Sequence, residues 1–202
     1  MNDGRKVYDY QSYSEYIATQ RGRSMRSQGQ TKSYWWYRDR LATQLNALCP
    51  TAKTMLCLGA RNKLEIEDFE SKGFSPEGID LVESPRIAEC DMSRLYCDDR
   101  FSRRTFDIFV AIHSLEHCLD FDGFLRSLEL CRMAFACVTP LLERPTDWDC
   151  SAFEFAHPNA SAESLVNAFP GFELGCREVH KRTLLFVLLR TCGGDRDQKC
   201  IE

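Results

Sequence analysis

Two short apolar runs, one closed by a glycine and the next by an acid, constrain this chain more than any other feature. Met55-Leu56-Cys57-Leu58 reads as a strand ending at Gly59, and Gly78-Ile79 leads a second strand into Asp80. Gly59 and Asp80 lie 21 residues apart, close to the roughly 20 expected between a glycine turn and a ribose-binding acid. An isolated acidic turn, Cys90-Asp91-Met92, comes next. A further strand over 106–112 then runs into the polar loop His113-Ser114-Leu115-Glu116-His117. This order suits a Rossmann-type sheet that holds an adenosine-bearing ligand along the carboxyl ends of its strands. The glycine lets the backbone approach the ligand, Asp80 can take both ribose hydroxyls, and Asp91 can reach the adenine edge.

The loop after the first strand, Gly59-Ala60-Arg61-Asn62-Lys63-Leu64-Glu65, contains a single glycine. A dinucleotide needs several, so that a helix amino end can grip its pyrophosphate, and Lys63 alone is a weak substitute. An adenosine cofactor without phosphate fits better, and S-adenosylmethionine (SAM) is the one that matches. Residues 54–140 resemble the class I SAM-dependent methyltransferases, in particular the broad methyltransferase type 11 group. The matching pieces are Cys57-Leu58-Gly59-Ala60-Arg61-Asn62, Gly78-Ile79-Asp80-Leu81, Asp91-Met92, Thr105-Phe106-Asp107 and His113-Ser114-Leu115-Glu116-His117.

The resemblance implies SAM as cofactor, bound by Leu58, Gly59, Ala60, Arg61, Glu65, Asp80, Leu81, Asp91, Met92, Ile112 and His113. Two departures accompany it. The usual acid two residues before the motif glycine is Cys57, and the usual glycine-any-glycine is Gly59-Ala60-Arg61. Glu65 can compensate by reaching back towards the methionine amino group.

In such a fold the residues just after the fourth strand face the methyl group. His113 is therefore the candidate base, and a hydrogen-bonded loop histidine is the competing reading. Glu116 and His117 read as structural supports of the same loop, His157 as a surface histidine, and Asp107 as a tie for the fourth strand. Ala111-Ile112-His113-Ser114 stands near the place where many methylases of base and amide nitrogen carry Asn-Pro-Pro-Tyr, which argues against a DNA adenine or cytosine amino acceptor.

The remaining pattern predicts one α/β domain. Strands are expected at 54–58, 77–81, 86–90, 106–112 and 134–139, with helices at 33–48, 63–72 and 121–133. Ser33 is placed as the cap of the first helix. Of Trp35 and Trp36, one is expected on the sheet and the other at the rim of the cofactor cleft. After the long stretch 141–158 come a short helix at 161–168 and two final strands, 172–179 and 182–189. The whole is a Rossmann-like, mostly parallel seven-stranded sheet with helices on both faces and a C-terminal antiparallel strand pair. Residues 1–32 form a basic, aromatic arm, 33–191 the SAM-binding domain, and 192–202 a polar tail.

Charge divides along the same lines. Residues 1–40 carry eight Lys or Arg against four acids, and the rest carries 18 against 26. An acidic domain argues against broad coating by nucleic acid, whereas the arm can serve as a lid or meet an RNA. No apolar run approaches the roughly 18 residues of a membrane helix, and the first residues lack a signal-peptide core. An intracellular protein, cytoplasmic or nuclear, is expected. Eleven cysteines without Cys-x-x-Cys spacing read as reduced, mostly buried thiols, with Cys57, Cys131, Cys137 and Cys176 in core elements. Zinc on Cys90, Cys97, His113, His117 and Cys118 is the sharper alternative, and its spacing matches no standard module; no metal is expected.

Function thus reads as methyl transfer from SAM to an acceptor the sequence does not name, whether small molecule, protein or RNA. A SAM-fold binding or scaffold protein without catalysis is the alternative. A nucleotide-linked oxidoreductase is disfavoured by the missing glycines.

Overall fold

The computed structural model describes residues 35–60, 62–115, 118, 120–140, 169–180 and 183–191, together with Glu15, Ala18, Thr19, Arg21 and Gly22. Over these residues the chain alternates helix and strand. Helix α1 is Trp35–Leu48, strand β1 Thr54–Leu58, helix α2 Lys63–Ser71, β2 Ser75–Asp80 and β3 Ile87–Glu89. A 3-10 segment, Met92–Cys97, leads to β4, Phe106–Ile112, and to the short helix α3, Phe121–Ser127. Strands β5 (Cys131–Pro140), β6 (Phe172–His180) and β7 (Thr183–Arg190) complete the described fold.

The seven described strands form one sheet in the order β3-β2-β1-β4-β5-β7-β6. Neighbours from β3 to β5 run parallel, while β7 is antiparallel to both β5 and β6. The order reverses between β1 and β4, which leaves a crevice at the carboxyl ends of these two strands.

Alternation along the strands divides the core into two unlike layers. Met55 and Cys57 of β1 and Ile108 and Val110 of β4 face the side covered by Leu41, Ala42 and Leu45 of α1 and by Ile66 and Phe69 of α2. The sheet residues there are small or aliphatic, which lets the helices sit close. Leu56 and Leu58 face the other way with Phe109, and Phe124, Phe135, Phe169 and Phe186 fill that layer. Ring centroids of Phe135 and Phe169 lie 5.2 Å apart and those of Phe124 and Phe135 5.6 Å apart. Tilted and edge-on pairs of this kind add to the stabilisation that area burial alone provides.

Asp107 fastens β4 to β1. Its Oδ2 accepts from Lys53 N, Thr54 N and Thr54 Oγ1, each at 2.9 Å, and its Oδ1 pairs with Arg132. Burial opposes ionisation, but these donors outweigh it and hold the carboxyl at about 2. The expected tie is therefore present in detail.

Four expectations need correction. The helix predicted over 121–133 ends at Ser127, tightens into a 3-10 turn over Leu128–Leu130, and gives way to β5 at Cys131. Pairing of Cys131 with Phe106 at the start of β4 claims that residue for the sheet, although its spacing from Phe124 and Leu128 is helical. Neither tryptophan of α1 is buried in the core: Trp35 is 53% and Trp36 38% exposed, Trp36 meets the sheet only at its outer strand, on His180 of β6, and Arg38, Leu41, Ala42 and Leu45 take the buried stripe. Cys176 is only half-buried, since β6 is the outer strand. The second strand begins two residues earlier than predicted, at Ser75, because Ser75 and Pro76 pair with Thr54 and Met55.

The predicted cap Ser33, most of the 1–32 arm, the 141–158 stretch with His157, the 161–168 helix and the 192–202 tail lie outside the described residues.

Candidate functional site

Gly59 closes β1 with φ +70°, a left-handed conformation that an L side chain adopts only at a cost. Space adds a second reason for glycine. A Cβ there would stand 2.5 Å from Ser114 Cβ and 3.6 Å from Met92 Cε. The turns after β1, β3 and β4 therefore converge on this one backbone position. Ser114 Oγ donates to Leu58 O at 2.6 Å, and Ala60 N donates to Ile79 O at 2.9 Å. Asn62 then caps α2 by accepting from Leu64 N at 3.0 Å.

Asp80 is the last residue of β2 and is nearly buried. Its Oδ1 accepts from Val82 N at 3.2 Å, and its carbonyl accepts from Cys90 N at 2.8 Å, so the end of β3 is pinned beside it. Leu81 follows, half-buried; Arg21 donates to its carbonyl at 3.4 Å and pairs with Glu89. An arm residue thus touches the chain just beyond Asp80.

Asp91 has a structural task. Its Oδ1 accepts from Ser93 N at 2.9 Å and Ser93 Oγ at 2.7 Å, capping the 3-10 segment. Met92, next to it, is the residue whose tip reaches Gly59. Lys63 points to Glu67 at 3.1 Å on the exposed face of α2. Arg61, Glu116 and His117 lie outside the described residues.

Glu65 turns inward from the first turn of α2 towards the thiol of Cys57. Its Oε1 is buried and has no hydrogen-bond partner among the described residues. Burial dominates and pushes its pKa up to about 8, with Asp80 and Asp68 adding to the rise. Arg38 counters it, itself buried and paired with Asp68 at 2.5 Å. Burial likewise pushes the Cys57 thiol well up, and Glu65 reinforces the effect. A carboxyl therefore stands beside the strand position where the motif's usual acid is replaced by cysteine.

His113 follows β4 with φ +51°, strained for a residue with a side chain. Its N–H donates to Val138 O at 2.8 Å, which binds the loop to β5. Tyr37 of α1 stands edge-on to the imidazole, with centroids 5.8 Å apart. Sequence reasoning missed this partner, together with Arg38 and His180. The adjacent Trp35-Trp36-Tyr37 was the available signal, though it does not say which ring meets which loop.

Among the described residues no group of three or more His, Cys, Asp or Glu could hold a metal ion. No helix among them is long and apolar enough to cross a membrane.

This strand order, with its antiparallel last pair, is the fold of the SAM-dependent methyltransferases. The chain is similar to the 1,6-didemethyltoxoflavin N1-methyltransferase of Burkholderia thailandensis, crystallised with 1,6-didemethyltoxoflavin and S-adenosylhomocysteine (SAH). Identity is 18% and TM-score 0.63, over 90% of this chain and 92% of that one. It is also similar to the magnesium protoporphyrin IX methyltransferase of Synechocystis with bound SAH, at 10% identity and TM-score 0.60, over 88% and 97% of the two chains. An O-methyltransferase family protein of Burkholderia thailandensis aligns at 13% identity and TM-score 0.64, over 89% of this chain and 63% of that one. At these identities the likeness is one of fold. No family model matches the chain, and no curated protein matches it.

Proposed function

We propose that the chain is a SAM-dependent methyltransferase whose cofactor lies along the carboxyl ends of β1, β2 and β4. The buried, unpartnered Oε1 of Glu65 is the observation that carries this reading. A carboxyl oxygen left without a donor costs about 1–3 kcal/mol, and such a cost is offset when a ligand supplies the donor. SAM carries an ammonium that can do so. The other residues fit as well. Asp80 ends β2 with a carboxyl suited to a ribose diol. Leu58, Ala60, Leu81, Met92 and Ile112 would line the adenosine and methionine portions, with Arg61 at the loop. Asp91, engaged as a cap, would orient the turn beside the adenine edge.

When bound, SAM supplies a methyl group made electrophilic by its sulfonium. The protein's part is then mostly alignment, which can supply several kcal/mol. His113 would stand where it could take the proton of an acceptor nitrogen or oxygen as that atom is methylated, with water as the alternative proton acceptor. Tyr37 would hold the imidazole of His113 in place for this transfer. A positioned base contributes about 10²–10⁴ in rate.

The test is calorimetry of the full chain with SAM and with SAH, followed by a radiomethyl screen over small-molecule, protein and RNA fractions. Binding of both with transfer to one fraction is the expected result. Failure to bind either discards the proposal. Tight binding without any transfer favours a SAM-fold binding protein, the reading that Cys57 and the lone glycine motivate.

A further inference from the structure

Four rings form a row that begins at His113 and ends in solvent. Tyr37 is edge-on to His113, at 5.8 Å and 76°, and also edge-on to His180, at 6.3 Å and 74°. Trp36 stacks on His180 with centroids 4.3 Å apart and planes 28° apart, and meets Tyr37 edge-on at 5.1 Å. One phenol therefore links the residue after β4 to the last residue of β6. Topology places His180 on the same edge as His113. Strand β5 ends at Pro140, which pairs with Thr183 of β7, and Thr183 in turn pairs with His180.

The outer end of this row is uncovered. Trp35 is 53% exposed, Trp36 38%, and Val179, the neighbour of His180, 53%. Aromatic faces gathered at one corner offer a flat ligand stacking area at low entropic cost. The charges around them disfavour a cationic ligand. Glu178, two residues before His180 and on the same face of β6, is already held by Arg40 at 2.8 Å through both oxygens and by Gln44 at 2.7 Å. A cation would find two imidazoles and a carboxylate already neutralised. Residues 41–202 are acidic on balance, 18 Lys or Arg against 26 acids, which disfavours a polyanion.

The geometry points to an acceptor subsite for a free, flat aromatic or heteroaromatic small molecule, stacked at Trp36 and His180 with its ring nitrogen or oxygen directed along Tyr37 to His113. As the place of an acceptor, it rests on the methyltransferase reading. The ring row itself does not.

The test uses the full chain, with tryptophan fluorescence and saturation-transfer NMR, with and without SAH. Quinolin-4-ol and lumazine are the flat probes. Cyclohexylamine, choline and a ten-nucleotide oligoadenylate are the comparisons. The flat probes should bind, quench fluorescence and show ring-proton transfer, and Trp36→Ala should weaken them about fivefold or more with SAH affinity unchanged. Trp36→Phe should restore most of the loss. His180→Leu serves as the second variant, and circular dichroism establishes which variants fold. The inference is overturned if cyclohexylamine or choline binds as well as the flat probes, or if folded Trp36→Ala and His180→Leu bind them like the parent. Tighter binding of the oligonucleotide than of the free rings also overturns it, in favour of a nucleobase within a strand. SAH binding without probe binding defeats this inference alone. Probe binding that depends on Trp36, in a chain that ignores SAM and SAH, defeats the methyltransferase reading and leaves the aromatic site standing.

Discussion

The carboxyl of Glu65, on the first turn of α2, lies against the thiol of Cys57 inside β1, with one oxygen buried and without a hydrogen-bond partner among the described residues. Neither group is easily ionised there. Cys57 is wholly buried, and burial is the main cause that lifts Glu65 to about 8. A side chain that is costly in the folded chain, next to the turn that defines the crevice, is the pattern expected of a residue kept for a ligand.

That cost has a sign that can be measured. The folded-state pKa of Glu65, about 8, exceeds the roughly 4.3 of an unfolded glutamate. Its contribution to stability is therefore full below about pH 4.3 and is lost as the pH rises towards about 8. Glu65→Gln removes this loss and should raise the stability of the ligand-free protein at pH 7.5 by up to about 4 kcal/mol. The same substitution should weaken SAM. Urea unfolding of both proteins at pH 5 and 7.5 is the measurement; an equal difference at the two pH values contradicts the argument.

Binding of SAM should also release a proton. A carboxyl that is largely protonated at pH 7 ionises when an ammonium is brought to it. Affinity should rise between pH 6 and 8.5. The calorimetric heat at pH 7 should differ between phosphate and Tris in proportion to their ionisation enthalpies. Identical heats in the two buffers argue that Glu65 does not meet the cofactor.

Asp80→Ala should reduce SAM affinity by about 1–3 kcal/mol, the loss of charged acceptors for the ribose hydroxyls. Because Asp80 Oδ1 also accepts from Val82 N, Asp80→Asn is the companion variant, keeping an oxygen for the turn. Unchanged affinity in folded protein for both variants removes Asp80 from the site.

Two glycines with left-handed backbones separate conformational strain from crowding. Gly73 has φ +91° and open space where a Cβ would stand, whereas Gly59 has φ +70° and Ser114 in the way. Gly73→Ala should cost about 1 kcal/mol. Gly59→Ala should cost about 3 kcal/mol, since Ser114 must leave its bond to Leu58 O. Thermal unfolding of the two variants side by side checks the order.

Asp107 predicts the acid limit. Its folded-state pKa, lowered to about 2, lies below the roughly 3.9 of an unfolded aspartate. The stability it contributes is present above about pH 4 and is lost as the pH falls towards 2. Asp107→Ala should cost about 3 kcal/mol at pH 7 and flatten the loss of stability between pH 4 and 2. A variant that still shows the parent's full acid dependence points to other carboxylates.

Much of the fold was legible in the residues, because strand alternation and capping are local properties. The strands 54–58 and 106–112 follow from short-range pattern. The 121–133 helix failed for the converse reason. Phe124, Leu128 and Cys131 keep helical spacing, and only the pairing of Cys131 with Phe106 reveals a strand.

The sequence by itself determined the order of the elements, the single glycine of the first turn and the acid that ends the second strand. Their convergence was decided by the sheet. Parallel pairing of β1 with β2 and β4 brings Gly59, Asp80 and Ser114 to one edge from turns up to 55 residues apart in the chain. The same holds for the residues that pattern could not place. Glu65 finds Cys57 because α2 packs back on β1, and Trp36 and Tyr37 find His180 and His113 because α1 lies across the ends of β4 and β6. Periodicity records which face of an element is apolar, but a side chain's partner on another element is a property of packing, and packing exists only once the chain has closed on itself.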